Sequence, residues 1–152
     1  MTNKALEIIG LTKIYKNGRG IRDLNLTVDE GDIFGFLGPN GAGKTTAMKM
    51  MTGLVRPDRG DVKIFGVSVR DDYVNAMKHV GCIIETAESY PYLTAYENLR
   101  LAARYYPHVD RQRIDECLEI TGLMKYKNEN ARKFSLGMKQ RLGIAAAILS
   151  RP

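Results

Sequence analysis

Residues 38–45 of the sequence are Gly38-Pro39-Asn40-Gly41-Ala42-Gly43-Lys44-Thr45. They match the pattern G-x-x-x-x-G-K-[ST] at each fixed position. The apolar segment Ile33-Phe34-Gly35-Phe36-Leu37 comes directly before them and predicts a strand buried on both faces, as parallel sheets require. A helical stretch from about Lys44 to Thr52 follows, with Gly53 as its expected C′ residue. A strand, a glycine-rich loop and a helix in this order predict an α/β fold with a phosphate-binding loop.

The spacing within this loop has a chemical reason. Its glycines let backbone N–H groups turn inward with no Cβ in the way, which makes a nest for an anion. The N-terminus of the following helix adds partial positive charge. Lys44 can reach the β- and γ-phosphates, the Thr45 hydroxyl can bind Mg²⁺, and Thr46 can hydrogen-bond an α-phosphate oxygen. We therefore expect a site for a nucleoside triphosphate.

Length and composition set broad limits. The 152 residues carry a net charge of +6, with 44% hydrophobic and 26% charged residues, which excludes intrinsic disorder and fits one domain or a piece of one. The longest unbroken apolar run, Ile144 to Leu149, is far shorter than the roughly 18 residues of a membrane span. The N-terminus has no apolar segment typical of a secretory signal. Cys82 and Cys117 form no C-x-x-C pair, so we expect both to be free and reduced.

The chain on either side of the loop predicts further strands and a short helix. Residues 24–28 alternate between apolar and polar side chains, which is typical of a half-buried strand. Residues 61–65 predict a short strand, and residues from about 72 to 79 predict a helix. The segment Gly81-Cys82-Ile83-Ile84 predicts another short buried strand, which ends at Glu85.

The second half of the chain has helical patterns. Thr94 and Glu97 have the spacing of a capping box, and the helix that they begin is expected to end before Pro107. Ser135 can cap a last helix that runs to about Ser150. Between these two helices, four residues recur at the i, i+3, i+4, i+7 spacing of one helix face: Ile114, Cys117, Leu118 and Thr121. This change of pattern suggests an inserted helical subdomain.

Two motifs resemble those of a known family. The stretch 38–46 resembles the Walker A loop of ABC transporter ATPase subunits, and Phe134-Ser135-Leu136-Gly137-Met138-Lys139-Gln140-Arg141 resembles their signature motif. The two motifs lie about 90 residues apart, with a helical stretch between them, as in that family. The resemblance covers essentially the whole chain. Within the family, the sequence of this signature motif is similar to that of bacitracin-, lantibiotic- and multidrug-type exporters.

The resemblance implies a P-loop NTPase fold of ABC type. Its expected parts are an N-terminal antiparallel β subdomain, a partial parallel-sheet core and an inserted helical subdomain. On this basis residues 1–152 form a single incomplete ATP-binding domain. About 1–87 would be the β subdomain and Walker A core, about 88–134 the helical subdomain, and 135–152 the signature helix.

The resemblance also implies roles for individual residues. Tyr15 matches the aromatic residue that stacks on adenine, where stacking is worth roughly 1–3 kcal/mol. Ser135 and the Gly137 N–H would bind the γ-phosphate of an ATP held by a second subunit, in a head-to-tail dimer. Lys44 and Glu85 are the expected catalytic residues, and Thr45 and Glu85 the expected Mg²⁺ ligands. The expected nucleotide-binding residues are Tyr15, Gly38, Asn40, Gly41, Ala42, Gly43, Lys44, Thr45, Thr46, Ser135 and Gly137.

Glu85 has three interpretations. It stands where the family usually has a Gln that meets Mg²⁺ and the attacking water and signals to the membrane partner, and exporters of the lantibiotic type have Glu there. A carboxylate could bind Mg²⁺ more strongly than an amide. Alternatively, Ile83-Ile84-Glu85 is a substitute for the Walker B strand, or Glu85 is a plain solvated side chain. These alternatives stay open from the sequence.

The function implied is that of an ATP-binding subunit of an exporter. It would couple ATP binding and hydrolysis to transport through a separate membrane permease, from the cytoplasmic face of the membrane. The aromatic and proline-containing segment 89–94 suits docking of the permease or is a plain loop. We find no Walker B strand, D-loop or switch His, so we expect weak ATP binding and little hydrolysis from these 152 residues.

Two other functions are weighed against this one. The chain could be a regulatory or dimerisation module that holds nucleotide without hydrolysing it. A nucleic-acid-binding protein would rest only on the charge of +6, since no reading helix or aromatic and basic platform is identifiable. We therefore expect no nucleic-acid partner. The basic run 125–141 is either a solvated face or a surface that attracts anionic partners.

Overall fold

The computed structural model describes residues 3–152. This part of the chain divides into two compact units, of which the first ends at His79 and the second is Val80–Pro152. The first unit contains a sheet and two helices, and the second is helical.

The sheet of the first unit is antiparallel, with the strand order β2-β1-β3-β4. Its strands are β1 (Lys4–Ile14), β2 (Gly20–Asp29), β3 (Arg59–Ile64) and β4 (Val67–Ser68). Ile8 lies at its centre, paired with Leu26 on one side and Val62 on the other. The alternation predicted for residues 24–28 is confirmed, because Leu24, Leu26 and Val28 are half-buried between exposed polar neighbours. The strand predicted at 61–65 is also confirmed, as β3.

Two helices accompany this sheet. Helix α1 (Lys44–Met51) begins directly after Gly43, as predicted. Gly53 has a φ of 71° and donates its N–H to the Met50 carbonyl, which confirms its predicted place after the helix. Helix α2 (Tyr73–Met77) is shorter than the predicted 72–79 and is capped by Asp72. The buried apolar side chains come mainly from the sheet and these helices: Ile8, Leu11, Ala47, Met50, Val62, Ile64, Val69 and Ala76.

The second unit contains α3 (Ala95–Ala103), α4 (Arg111–Ile120) and α5 (Leu136–Ala147). Short 3₁₀ helices, Met124–Tyr126 and Ala131–Lys133, lie between α4 and α5. The capping box at the start of α3 is confirmed, with the Thr94 hydroxyl accepting from the Glu97 N–H and the Glu97 carboxylate accepting from the Thr94 N–H. The bond that the Glu97 carboxylate accepts from the Thr94 N–H, followed by its hydrogen bond with the Thr94 side chain, lowers the pKa of Glu97 below its ordinary value.

The apolar stripe of α4 faces the core of the second unit. The residues at this predicted spacing are all buried: Ile114, Cys117, Leu118 and Thr121. The first three of them pack in one core cluster with Leu99 of α3 and Leu142 of α5. Burial raises the pKa of the Cys117 thiol, and both cysteines are free, as predicted.

Two strand predictions are wrong. Residues 33–37 and 81–84 form no strand, and Ile33 and Leu37 are almost fully exposed. An apolar extended segment becomes a strand only when a neighbouring strand satisfies its backbone N–H and C=O groups. Within residues 3–152 the only paired strands are the four of this sheet, and each pairing between neighbours is antiparallel. The parallel part of the predicted sheet is therefore not formed in the described part of the chain.

Candidate nucleotide-binding site

The loop before α1 is shaped by two glycines in the left-handed region. Gly41 has a φ of 85° and Gly43 a φ of 93°, which L side chains rarely adopt. The Ala42 N–H donates to the Pro39 carbonyl at 3.2 Å, and the Ala47 N–H donates to the Gly43 carbonyl at 2.9 Å to begin the helix. Because the N-cap residue is glycine, no side chain caps the first turn of α1. Its N–H groups are thus available to an anionic acceptor.

Lys44 closes this loop. Its ammonium donates hydrogen bonds to the carbonyl oxygens of Gly38 at 2.6 Å and Pro39 at 2.8 Å. The side chain is half-buried, so the positive charge is held over the loop rather than in open solvent. The ammonium therefore lies directly beside the backbone of the loop.

A pocket of about 370 Å³ lies between the loop and the hairpin that joins β1 to β2. It brings together most of the nucleotide-binding residues predicted in this unit: Tyr15, Asn40, Gly41, Gly43, Lys44, Thr45 and Thr46. Gly38 and Ala42 belong to the loop but do not line this pocket. The pocket can therefore take an aromatic base at the Tyr15 end and a polyphosphate at the loop end.

The close approach of the loop to β2 depends on Gly43. A Cβ at this position would lie 2.6 Å from Cγ1 of Ile21 and 3.5 Å from the Gly20 carbonyl oxygen. A non-glycine residue would thus collide with the strand as well as adopting a strained φ. This contact places the start of α1 beside the hairpin.

Tyr15 is positioned by the end of β1. The Asp58 carboxylate accepts hydrogen bonds from the Lys13 ammonium at 2.9 Å and from the Ile14 N–H at 2.8 Å. The bond from Lys13, followed by that from Ile14, lowers the pKa of Asp58 below its ordinary value. The Lys13 ammonium also lies 6.0 Å from the centroid of the Tyr15 ring. The ring is partly exposed, so one face is available for stacking.

The other predicted site residues belong to the second unit. Ser135 caps α5, with its hydroxyl accepting from the Met138 N–H at 3.3 Å, so its predicted capping role is confirmed. Gly137 is exposed, and nothing lies within 4 Å of the place where its Cβ would be. Glu85 is exposed and has a φ of 68°, a left-handed conformation that is uncommon for a non-glycine residue.

Sequence reasoning missed Asn17 and Arg19. Both line the pocket beside Tyr15, on the turn of the hairpin. The Asn17 side chain accepts from the Arg19 N–H at 3.1 Å, and the Arg19 carbonyl accepts from the Tyr15 N–H at 2.8 Å. The pairing of β1 with β2 places Arg19 opposite Tyr15. The dipeptide Asn17-Gly18 is a typical hairpin-turn signal and could have indicated this pairing from the sequence.

Metal binding at this site would need only a few protein ligands. Among residues 3–152, no group of three or more His, Cys, Asp or Glu side chains could hold a metal ion. Mg²⁺ commonly takes one or two protein oxygens together with phosphate oxygens and water. The Thr45 side chain lies in the first turn of α1 and lines the pocket, so it fits this mode of binding.

Some cations of the basic run 125–141 form contacts within the second unit. Lys127 forms an ion pair with Asp115, and Arg141 donates to the carbonyl oxygens of Thr121 and Gly122 at the end of α4. Lys125 lies over the Tyr126 ring, with 4.9 Å between the ammonium and the centroid. Three of these cations therefore have a local structural role.

Comparison with protein families gives a match to the ABC transporter model over residues 21–152. The match covers the loop, α1 and the whole second unit. The chain belongs to the ABC transporter family. No helix in the described range 3–152 is long and apolar enough to cross a membrane.

The relatives are ABC transporter ATP-binding proteins. The chain is 45% identical over 148 residues to the uncharacterized ABC transporter ATP-binding protein YhcH of Bacillus subtilis, covering 95% of this chain and 48% of the relative. It is 45% identical over 142 residues to the bacitracin transport ATP-binding protein BcrA of Bacillus licheniformis, covering 93% of this chain and 46% of the relative. The chain thus spans about half the length of the curated relatives that it matches.

A solved structure confirms the fold class. The chain superimposes with a TM-score of 0.82 on a dimeric structure of a post-hydrolysis state of the ATP-binding cassette MJ0796 bound to ADP and Pi. The two chains are 29% identical, and the match covers 97% of this chain and 70% of the other. The fold is that of an ABC ATP-binding domain, of which the described residues form the antiparallel sheet and the helices but no parallel sheet.

Proposed function

We propose that the chain forms the nucleotide-binding part of an ABC transporter ATP-binding subunit and binds Mg-ATP in the pocket beside α1. The observation that supports this most is the contact between the loop and the hairpin. It joins Tyr15, the Lys44 ammonium and the uncapped N-terminus of α1 in one pocket. An aromatic surface and a phosphate nest at opposite ends of one pocket suit a nucleotide better than inorganic phosphate.

The roles of the loop residues follow from their chemistry. The backbone of residues 38–43, with Asn40, Gly41 and Ala42 at its centre, cradles the phosphates. Lys44 then moves from the Gly38 and Pro39 carbonyls to the β- and γ-phosphates, which are stronger acceptors because they are charged. Thr46 binds the α-phosphate and Tyr15 stacks on the adenine.

Mg²⁺ would be held by Thr45, and Glu85 is proposed as a second ligand. The metal would neutralise the charge of the phosphates. Its protein ligand within the pocket is the Thr45 hydroxyl.

We propose that Ser135 and Gly137 act on the nucleotide of a second subunit. Both lie at the N-terminus of α5 and are exposed, so this helix end is accessible to an anion. The dimeric form of the MJ0796 cassette supports dimerisation. A head-to-tail arrangement would bring the Ser135 hydroxyl and the Gly137 N–H of one subunit to the γ-phosphate in the other.

The partner proposed for transport is a membrane permease on the cytoplasmic face of the membrane. BcrA is named for bacitracin transport, and SkfE of Bacillus subtilis, 37% identical to this chain, is named for export of the SkfA peptide. These names favour export of a peptide or peptide-like compound. We retain the proposed division at about 1–87, 88–134 and 135–152, with the segment 89–94 of the helical part as the docking site for the permease.

Turnover by these 152 residues alone is proposed to be very low. No carboxylate of the described chain lines the pocket, so a general base for water is missing there. A positioned general base typically contributes about 10²–10⁴ in rate. The same observation favours the second candidate function, a regulatory or dimerisation module that binds nucleotide without hydrolysing it.

Calorimetry with Mg-ATP tests the proposed binding. We expect the chain to bind, and Lys44→Ala to weaken the affinity by at least about tenfold, because a charge-assisted bond to phosphate is lost. Lys63→Ala is the matched control, since Lys63 lies on β3 outside the pocket and should leave the affinity unchanged. Absence of binding at millimolar Mg-ATP, with a folded sample, would refute the proposal.

Phosphate release separates the two candidate functions. We expect slow but measurable phosphate release from Mg-ATP if the chain belongs to an ATP-binding subunit, and none if it is a regulatory module. A turnover on the order of 1 per second from the 152-residue chain would contradict the proposed low activity.

A further inference from the structure

Arg19 faces the same pocket as Tyr15, from the other arm of the hairpin. The pairing of Ile14 with Gly20 continues outward to Tyr15 and Arg19, which are joined by the bond from the Tyr15 N–H to the Arg19 carbonyl. Directly opposed residues of an antiparallel pair point to the same face of a sheet. Both residues line the pocket, as this rule requires.

The backbone at Arg19 lies close to the phosphate end of the pocket. Its neighbour Gly20 has its carbonyl oxygen 3.5 Å from the Cβ position of Gly43, the residue that precedes α1. An arginine side chain that starts here is long enough to reach the N-terminus of that helix. The Asn17 side chain holds the turn by accepting from the Arg19 N–H.

The charge of Arg19 has no partner within residues 3–152. Its guanidinium forms no ion pair and no hydrogen bond with any described residue, and the side chain is exposed. The pocket is lined by two cations, Arg19 and Lys44, and by no carboxylate of the described chain. Lys44 is already bonded to loop carbonyls, so Arg19 is the cation of the pocket with unused donors.

We propose that the Arg19 guanidinium binds the phosphate chain of the nucleotide, as a second cation beside Lys44. This inference rests on the proposed nucleotide-binding function. A planar guanidinium can donate two parallel hydrogen bonds to a phosphate, which an ammonium cannot do. The contact adds affinity for nucleotides with more phosphates rather than for the base.

Titration of the 152-residue chain with Mg-ATP, Mg-ADP and AMP tests this role. We expect Arg19→Gln to weaken Mg-ATP binding by about tenfold, as for one lost bond between charged groups. The loss should be smaller for AMP. Arg19→Lys should recover part of the affinity, and added salt should weaken the unchanged chain more than Arg19→Gln.

Arg22→Gln is the matched control. Arg22 lies on β2, is exposed and does not line the pocket, so its removal changes the net charge equally without touching the ligand. We expect its affinity to stay within about twofold of the unchanged chain. Circular dichroism and the thermal midpoint of each variant confirm that the fold is kept.

Three outcomes would overturn the inference. The first is that Arg19→Gln binds Mg-ATP with an affinity within about twofold of the unchanged chain. The second is that Arg19→Gln loses the same factor of affinity for AMP as for Mg-ATP. The third is that Arg22→Gln loses as much affinity for Mg-ATP as Arg19→Gln does. If the unchanged chain binds and Lys44→Ala does not, while Arg19→Gln binds normally, only this inference fails. If the unchanged chain binds no Mg-ATP, the proposed function fails together with it.

Discussion

Asn98 and Tyr90 are joined by two hydrogen bonds. The Asn98 Oδ1 accepts from the Tyr90 N–H at 2.8 Å, and the Asn98 Nδ2 donates to the Tyr90 carbonyl at 3.1 Å. The same Nδ2 lies within hydrogen-bond distance of the Leu93 and Thr94 carbonyls. One buried amide on α3 therefore ties down the segment 89–94, which we propose as the docking site for a permease.

Replacing Asn98 with Ala should destabilise the chain by about 1–3 kcal/mol, because the Tyr90 N–H then loses its acceptor. The free energy of unfolding in denaturant measures this. Amide exchange in residues 89–94 should also become faster. Asn128→Ala is the control, because Asn128 is exposed and should leave both quantities unchanged. Equal effects of the two substitutions would contradict this role of Asn98.

Gly43→Ala should destabilise the chain more than Gly41→Ala. Both glycines have a positive φ, so both substitutions introduce backbone strain of about 1–3 kcal/mol. Only the Ala at position 43 also collides with Ile21, since a Cβ at position 41 meets nothing within 4 Å. The difference in the free energy of unfolding should be about 1 kcal/mol or more.

Ile21→Ala provides the control for this collision. When it is combined with Gly43→Ala, the part of the destabilisation that exceeds that of Gly41→Ala should disappear, because the side-chain atoms that the new Cβ meets are gone. A double-mutant cycle measures the coupling between the two sites. A coupling of zero would mean that strain alone explains the effect of Gly43→Ala.

Asp58→Asn should lower the thermal midpoint at neutral pH by a few degrees, because it weakens the bonds from Lys13 and Ile14. The pKa of Asp58 is lowered in the folded state from an ordinary value of 3.8. Its contribution to stability is therefore complete above that value and is lost as the pH falls through the lower, folded value.

Thermal midpoints measured over a series of pH values test whether Asp58 loses its stabilising effect as the pH falls. The unchanged chain should lose more stability than Asp58→Asn between neutral pH and the region below about pH 4. Asp71→Asn is the control, since Asp71 forms only an exposed pair with its neighbour Arg70. A steeper pH dependence in Asp58→Asn would show that the sign is wrong.

Ser135→Ala should destabilise α5 by about 1 kcal/mol, since Ser135 caps that helix. Ser135→Asp should keep the cap and the stability. If Ser135 also contacts the γ-phosphate of a second subunit, the added negative charge should weaken dimer formation with Mg-ATP. Light scattering of the two variants measures this, and normal dimerisation of Ser135→Asp would refute the proposed phosphate contact.

Local signals in the sequence predicted the parts of the fold that depend on near neighbours. The loop at 38–45, the capping box of Thr94 and Glu97 and the stripe beginning at Ile114 each involve residues a few positions apart. The strands predicted at 33–37 and 81–84 failed because a strand needs a partner, which an apolar run does not specify.

The residues missed at the site have the same explanation. Arg19 reaches the pocket only through the register of β1 with β2, and Asp58 reaches the end of β1 from 44 positions away in the sequence. Asn98 looked like an ordinary polar residue of a helix until its bonds to the segment 89–94 were visible. Pairings across long separations decide these positions, and single-residue patterns do not encode them.

The carbonyl oxygens of Gly38 and Pro39 already accept hydrogen bonds from the Lys44 ammonium, so they compete with any anion for this cation. An incoming anion has to be a better acceptor than two amide oxygens held at short range. We expect a multiply charged polyphosphate to displace these bonds more readily than a monovalent ion such as chloride, because it is the stronger acceptor for the ammonium. At the proposed phosphate site we therefore expect the loop to select anions by their charge, and Tyr15 to select separately for the base.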